Sequence, residues 1–320
     1  MDSSLHIIFT SLLIVEISLG IMINAFIVIV ICIEWKKLRQ LHSSDQILLC
    51  LALSRLFLLL MALSITIFLT FFPHLEFHSN EFGLLVRLFF SYSSIWFGTL
   101  LSVFYCIKIS VYHNTLFMYV KTRISKWVPW LIAGSLLASL SSSLPLGWCV
   151  FTENKLDSSN DTLHVFSKVP NFGNLFLIYN FGSSPPLILC CVSVVLLIKS
   201  LWSHTRQMQE IGSFGNPNLE THFRVLKSMA CFFFLYVFYY IIVNLTTTGV
   251  VKHDSPWIIL CSIFTSTTPS LHSAILIFTI SKFRQAFQNF FCLHHHFTQE
   301  VKSFNELSNT AHLKCLEDRD

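Results

Sequence analysis

Trp96-Phe97-Gly98-Thr99-Leu100-Leu101-Ser102-Val103-Phe104-Tyr105-Cys106-Ile107-Lys108-Ile109-Ser110 lies at the centre of a stretch running from Arg87 to Lys126. At about 1.5 Å of rise per residue, this stretch is long enough to cross a bilayer as a helix. Its polar residues keep one spacing. Arg87, Ser91, Ser94, Gly98, Ser102 and Tyr105 fall three or four positions apart, on one helical face. The other faces carry Leu, Phe, Ile, Trp and Val. In lipid the stripe must turn toward protein or a water-filled cavity, because an unsatisfied polar group in hydrocarbon is costly. Ser94, Gly98 and Ser102 suit close helix packing. Arg87 and Ser91, near one end of the span, stand where a ligand could enter.

Working outward, the composition agrees with a chain made for lipid. Of its 320 residues, 53% are hydrophobic and only 12% charged, and the mean hydropathy is +0.64. These values exclude an ordinary soluble domain. The net charge of +4 is small, and no basic, aromatic-interleaved region marks a nucleic-acid surface. Most of the ten cysteines lie inside apolar runs, where Cys behaves as a small hydrophobe. None shows zinc-site spacing, and no disulfide is expected to pin the outer face. The first apolar run follows Met1-Asp2-Ser3-Ser4-Leu5-His6 without a basic n-region or cleavage site, so it reads as a span.

Seven apolar runs are long enough to cross: about 7–33, 47–72, 84–109, 127–150, 172–198, 228–251 and 257–280. The expected fold is an all-α membrane protein, a seven-transmembrane helix bundle over residues 1–281. Lys and Arg set its orientation. One set of loops holds Lys36, Lys37, Arg39, Lys108, Lys121, Arg123, Lys126, Lys199, Arg206, Arg224, Lys227, Lys282 and Arg284, and the alternate set only Arg87, Lys155, Lys168 and Lys252. The positive-inside rule places the richer set in the cytoplasm, with the N-terminus outside and the C-terminus inside. Asn160-Asp161-Thr162 is then an N-glycosylation sequon on the outer face, whereas the sequon at Asn244 is buried in span six and silent. Residues 282–296 continue as an amphipathic interfacial helix, with apolar positions at Phe283, Ala286, Phe287, Phe290 and Phe291. Cys292 there is either a palmitoylation site or a free thiol. Residues 297–320 turn polar and acidic and read as a disordered tail.

Several spans carry polar faces. Glu16, Gly20 and Asn24 align in span one, and Arg55 stands alone among Leu and Phe in span two. An arginine inside the membrane costs at least about 2.5 kcal/mol and should find partners, with Asn24 and a serine or carbonyl of another span the natural ones. A network joining spans one, two and seven, through Asn24, Arg55 and Ser273, is therefore expected. Pro185 and Pro186 should kink span five. Tyr236, Tyr239, Tyr240, Asn244 and Thr247 mark a face of span six, and Ser262, Thr265, Pro269 and Ser273 one of span seven. Turned inward, these faces would line a small-molecule cavity. Its ligand-binding candidates are Arg87, Ser91, Tyr239, Tyr240, Asn244, Ser262 and Thr265.

Enzyme signatures are missing: H-E-x-x-H, G-x-S-x-G, a Walker A loop and paired intramembrane carboxylates are all absent from the sequence. The reading therefore calls for no catalytic residue, metal or cofactor. Transporters usually show internal repeats and Gly-interrupted half-helices, which this chain lacks.

Four motifs resemble one family. Leu101-Ser102-Val103-Phe104-Tyr105-Cys106-Ile107-Lys108-Ile109 is similar to the third-span signature of the type 2 (bitter) taste receptors, a G-protein-coupled receptor family. Ser200-Leu201-Trp202-Ser203-His204-Thr205-Arg206-Gln207-Met208 resembles that family's SLxxHxxxM motif. His222 to Ser228, followed by Leu235 to Tyr240, resembles the start of its sixth span, and Pro269 to Ile277 its PSxHSxILI segment. Asn24, Asp45 and Arg55 match its first two spans. The family's Asn near the end of span seven is Ile280 here. The resemblance implies a plasma-membrane receptor for small bitter compounds, coupled to a gustducin-like heterotrimeric G protein, phospholipase C and calcium release. It puts Tyr105, Lys108, His204, His222 and Lys227 toward the G protein and makes Tyr239 a link between ligand and span six. The alternatives are a pheromone receptor of the vomeronasal type 1 kind and, from another class, a small-molecule transporter or channel.

Overall fold

The computed structural model describes residues 3–71, 81–110, 115–145, 151–155, 166–170, 172–210, 217–251 and 257–290. Seven long helices account for most of them. They are α1 (Ser3–Leu38), α2 (Ser43–Phe71), α3 (Glu81–Ile109), α4 (Thr115–Ser143), α5 (Phe172–Glu210), α6 (Pro217–Thr247) and α7 (Trp257–Thr279). A shorter helix, α8, covers residues 281–290. All but α4 of the long helices are apolar enough as well as long enough to cross a membrane. Helix α4 has the length, but it carries Lys121, Arg123 and Lys126 in its first half and a run of serines at its end. The architecture is that of an all-α multi-pass membrane bundle.

The helices start and stop where the chain's chemistry dictates. The α1 helix ends at Leu38, and Arg39 turns the chain with φ 56° while its N–H donates to the Trp35 carbonyl at 2.8 Å. The α6 helix ends at Thr247, and Gly249 just beyond it takes a φ of 73° that is cheap only without a Cβ. Pro185 and Pro186 lie inside α5, which continues through them. Two hydroxyls from other helices bond to carbonyls at this irregularity. Tyr236 of α6 donates to Ser183, and Thr99 of α3 donates to Pro186 at 3.2 Å.

Between α4 and α5 lies a feature that hydropathy does not reveal. Phe151–Lys155 (β1) pairs antiparallel with Phe166–Pro170 (β2), Glu153 opposite Lys168 in the register. Asn160 lies in the segment between these strands, outside the described residues, as do Cys149, Cys292 and residues 297–320. Helix α8 covers the first part of the stretch expected to form an amphipathic helix, and residues 291–296 lie outside the described residues. Between it and the end of α7, Phe278 and Phe287 meet edge to face at 5.9 Å.

The chain divides into two compact units, residues 1–275 and 276–320. Within the first, α3 is the hub. It touches α2, α4, α5 and α6, and it is the most deeply buried of the apolar helices. Small residues on its polar stripe make this possible. A Cβ on Gly98 would lie 2.5 Å from the Phe232 ring of α6, so only glycine admits that ring. Ser102 donates to the Gly98 carbonyl at 3.1 Å and lies 4.0 Å from the Cys190 sulfur of α5. Outward faces carry Ile, Leu, Phe and Trp side chains such as Ile29, Phe57, Ile188 and Phe238, as lipid requires.

Candidate functional site: a cavity ending on a buried arginine

A cavity of about 320 Å³ opens at the end of the bundle where α3, α5 and α7 begin and α6 ends. That volume is at the lower end of the range for small-molecule sites. Arg87, Ser91 and Ser94 reach it from α3, Tyr179 from α5, Tyr236, Tyr239 and Thr247 from α6, and Ser262, Thr265 and Ser266 from α7. Helix α2 contributes Leu58, Leu59, Ala62 and the side chain of Arg55, and Phe232 and Pro269 complete the deep end.

Sequence reasoning and geometry meet at five of the seven ligand-binding candidates. Arg87, Ser91, Tyr239, Ser262 and Thr265 all line the cavity. Ser91 and Tyr239 bridge α3 and α6 through their hydroxyls, 3.0 Å apart. Tyr240 and Asn244 are directed elsewhere. The Tyr240 hydroxyl donates to Asn180 Oδ1 and lies 3.2 Å from Ser184 Oγ, while Asn244 Oδ1 accepts from Asn180 Nδ2 at 2.7 Å. They form a seam between α5 and α6. Replacing Asn180 with alanine should orphan Asn244 Oδ1, leave the Tyr240 hydroxyl only its contact with Ser184, and lower stability by about 1–3 kcal/mol. The melting temperature of the purified protein in detergent reads this, and an unchanged value would remove the seam from the energetics.

Arg55 closes the deep end. It is 2% exposed and has three neutral partners on two other helices. Its Nε donates to Ser94 Oγ at 3.2 Å, its Nη1 to Ser273 Oγ at 2.8 Å, and its Nη2 to His272 Nδ1 at 2.6 Å. A guanidinium only donates, so His272 accepts at Nδ1 and carries its proton on Nε2. Ser273 passes the chain on, donating to Asn24 Oδ1 at 2.8 Å, and Asn24 Nδ2 donates to the Gly20 carbonyl at 2.8 Å. Asn24, Arg55 and Ser273 are thus joined as the cost of a buried charge requires. Ser94 and His272 are the additions that sequence reasoning did not name as partners. Phe232 then stacks on His272 at 4.5 Å and on Tyr236 at 5.9 Å. One continuous set of contacts therefore runs from the cavity wall through Phe232 and His272 to Arg55 and on to α1.

At the other end of the bundle, where α3 ends and α6 begins, Tyr105 and Ile109 pack on the same apolar cluster as Val225 and Leu226. Lys108 and Lys227 are exposed near it. His204 and His222 lie on α5 and α6 by their backbone, with side chains outside the described residues. Among the described residues no group of His, Cys, Asp and Glu has the arrangement of a metal site.

Comparison with known proteins bears directly on this architecture. The family model described as taste receptor protein (TAS2R) matches residues 1–295. Human taste receptor type 2 member 2 is 33% identical over 299 residues, covering 90% of this chain and 96% of that protein. Taste receptor type 2 member 9 of Macaca mulatta is 34% identical over 294 residues, covering 90% and 94%. Taste receptor type 2 member 7 of Papio hamadryas is 32% identical over 285 residues, covering 85% and 88%. The match takes in all seven long helices and the cavity between them, and the chain belongs to the type 2 taste receptor family.

Proposed function

We propose that the chain is a bitter taste receptor that takes small molecules into the cavity between α2, α3, α5, α6 and α7. The observation that carries this reading is the deep end of the cavity of about 320 Å³, a mainly apolar pocket with a few polar groups, which touches both Phe232 and Arg55. A ligand there meets the residues that tie α6 to α1, α2, α3 and α7. If it favours one arrangement of those contacts, it shifts the population of that arrangement. In this reading Arg87, Ser91, Tyr239, Ser262 and Thr265 contact the ligand, and Tyr240 and Asn244 hold α5 to α6 beside it.

The protein sits in the plasma membrane with its N-terminus and cavity outside and its C-terminus in the cytoplasm, as the Lys and Arg distribution of the loops supports. Movement of α6 away from α3 exposes the inner surface around Tyr105, Lys108 and Lys227, together with His204 and His222, to a gustducin-like G protein. Phospholipase C and calcium release follow. Asn160 carries an N-linked glycan on the outer face, and Cys292 is the candidate for acylation on the inner one.

The test is intracellular calcium in cells carrying this chain, with and without a promiscuous taste-type G protein, screened with a panel of bitter compounds. A response that requires the G protein is expected. Current or flux that survives without it would make the protein a channel or transporter and overturn the receptor reading.

A further inference from the structure

The cavity has an uneven chemistry. Its walls from α2, α3 and α5 offer donors. Arg55 has five N–H groups, and three bonds to neutral acceptors account for only part of them. Arg87 is exposed and has no ion pair among the described residues. Tyr179 is 3% exposed, lines the cavity, and its phenol oxygen has no hydrogen-bond partner among the described residues. The neighbouring Tyr239 hydroxyl lies 3.0 Å from Ser91 Oγ.

Helices α6 and α7 contribute the reverse. Ser262 donates its hydroxyl proton to the Ile258 carbonyl, Thr265 and Ser266 to the Ser262 carbonyl, and Thr247 to Val243, all within their own helices. A hydroxyl whose proton is spent on the backbone shows its lone pairs to whatever lies beside it. Among the described lining residues there is no aspartate or glutamate to balance the two arginines.

We infer that the cavity selects organic anions: aromatic carboxylates, with the acid group on the Arg87, Tyr179 and Arg55 side and a hydroxyl or amide donor toward α6 and α7. This rests on the reading of the cavity as the agonist site. Charge complementarity sets the class. A carboxylate is a counterion for a buried, unbalanced cation, whereas an ammonium ligand would add a third positive charge to a site with no anion. The Tyr179 and Tyr239 rings, 6.5 Å apart between centres, supply the flat surface.

The test uses the full-length receptor in cells with the taste-type G protein. The probes are hydroxybenzoates and hydroxycinnamates paired with their methyl esters, alongside a general panel of neutral and cationic bitter compounds. Acids are expected to activate at lower concentration than their esters. In Arg87→Gln the acid's half-maximal concentration should rise about tenfold more than the ester's, the size of one lost charge-assisted bond. Arg87→Lys should restore most of that difference. Tyr179→Phe, which removes only the unpartnered hydroxyl, should shift the acids severalfold. Esters or cationic compounds outperforming the acids, with G-protein dependence intact, would overturn the anion preference and leave the receptor reading standing. Silence to every compound, with the receptor at the cell surface, would overturn both.

Discussion

Arg55→Ala is expected to give a receptor that melts about 2–4 kcal/mol less stable than the native protein and reaches the cell surface poorly. Three effects set the size. Removing the guanidinium takes away three bonds in which one partner is charged, each worth about 1.5–3 kcal/mol in favourable settings. Ser94 and Ser273 can recover part of this, because a helical serine can turn its hydroxyl to a backbone carbonyl one turn back. His272 Nδ1 has no such recourse. It is buried, stacked against Phe232, and would keep an acceptor with nothing to accept. Opposing these losses, alanine relieves the cost of a lone charge in the membrane, at least about 2.5 kcal/mol by insertion scales. The native fold has already met that cost through its three acceptors, so the relief is partial and the loss prevails. Thermal unfolding in detergent and surface labelling in cells are the readouts. An unchanged melt would mean that α1, α2, α3 and α7 are held by apolar packing alone.

Gly98→Val should be nearly as damaging, for a steric reason. A Cβ at this position would lie 2.5 and 2.9 Å from two Phe232 ring atoms. The ring has little freedom to yield, because it is stacked between His272 and Tyr236, and the Tyr236 hydroxyl is tied to the Ser183 carbonyl. Overpacking of this kind costs about 1–3 kcal/mol. Alanine would regain up to about 1 kcal/mol from its better helix propensity, so valine is the cleaner probe. The natural control is Gly134 in α4, where nothing lies within 4 Å of a built Cβ. Gly134→Ala should be neutral or slightly stabilising. Because Phe232 joins the cavity to the Arg55 contacts, Gly98→Val should also change calcium signalling in the absence of agonist. Equal melting curves for the valine variant and the native protein would contradict the packing.

What the sequence made legible follows from which signals are large. Seven helices could be read because a bilayer imposes a run of about 20 apolar residues on each crossing. Even there, α4 begins at Thr115, ahead of the apolar run, since its basic first turns are too polar to register as hydropathy. The partners of Arg55 could be anticipated in kind, because a buried cation must find acceptors. The specific set could not. Ser94, Ser273 and His272 touch it directly, whereas Asn24 joins one step removed, through Ser273.

The cavity shows the same limit. Tyr239 and Tyr240 are adjacent in sequence and about 100° apart around a helix. Nothing in hydropathy says that the first faces Ser91 and the second Asn180. Leu58, Leu59 and Ala62 of α2 line the cavity but are chemically the same as leucines and alanines facing lipid. Tyr179 lies in an apolar stretch with no polar stripe to mark it, and the β1–β2 ladder is too short and too polar to carry an alternation signal. The resemblance of the third- and seventh-span motifs to taste receptors supplied the family, but side-chain packing had to come from the fold.

The most direct test of the central claim, that the cavity is where agonists act, is a dose–response comparison of two tryptophan substitutions. Ser262→Trp puts a large side chain into the cavity wall, and Ile188→Trp puts the same side chain on the outward face of α5, where isoleucine is 62% exposed. For any compound that activates the receptor through the G protein, the first substitution is expected to raise the half-maximal concentration at least about tenfold. The second should leave it unchanged. Equal curves for both variants and the native receptor would place the agonist outside this cavity and contradict the account.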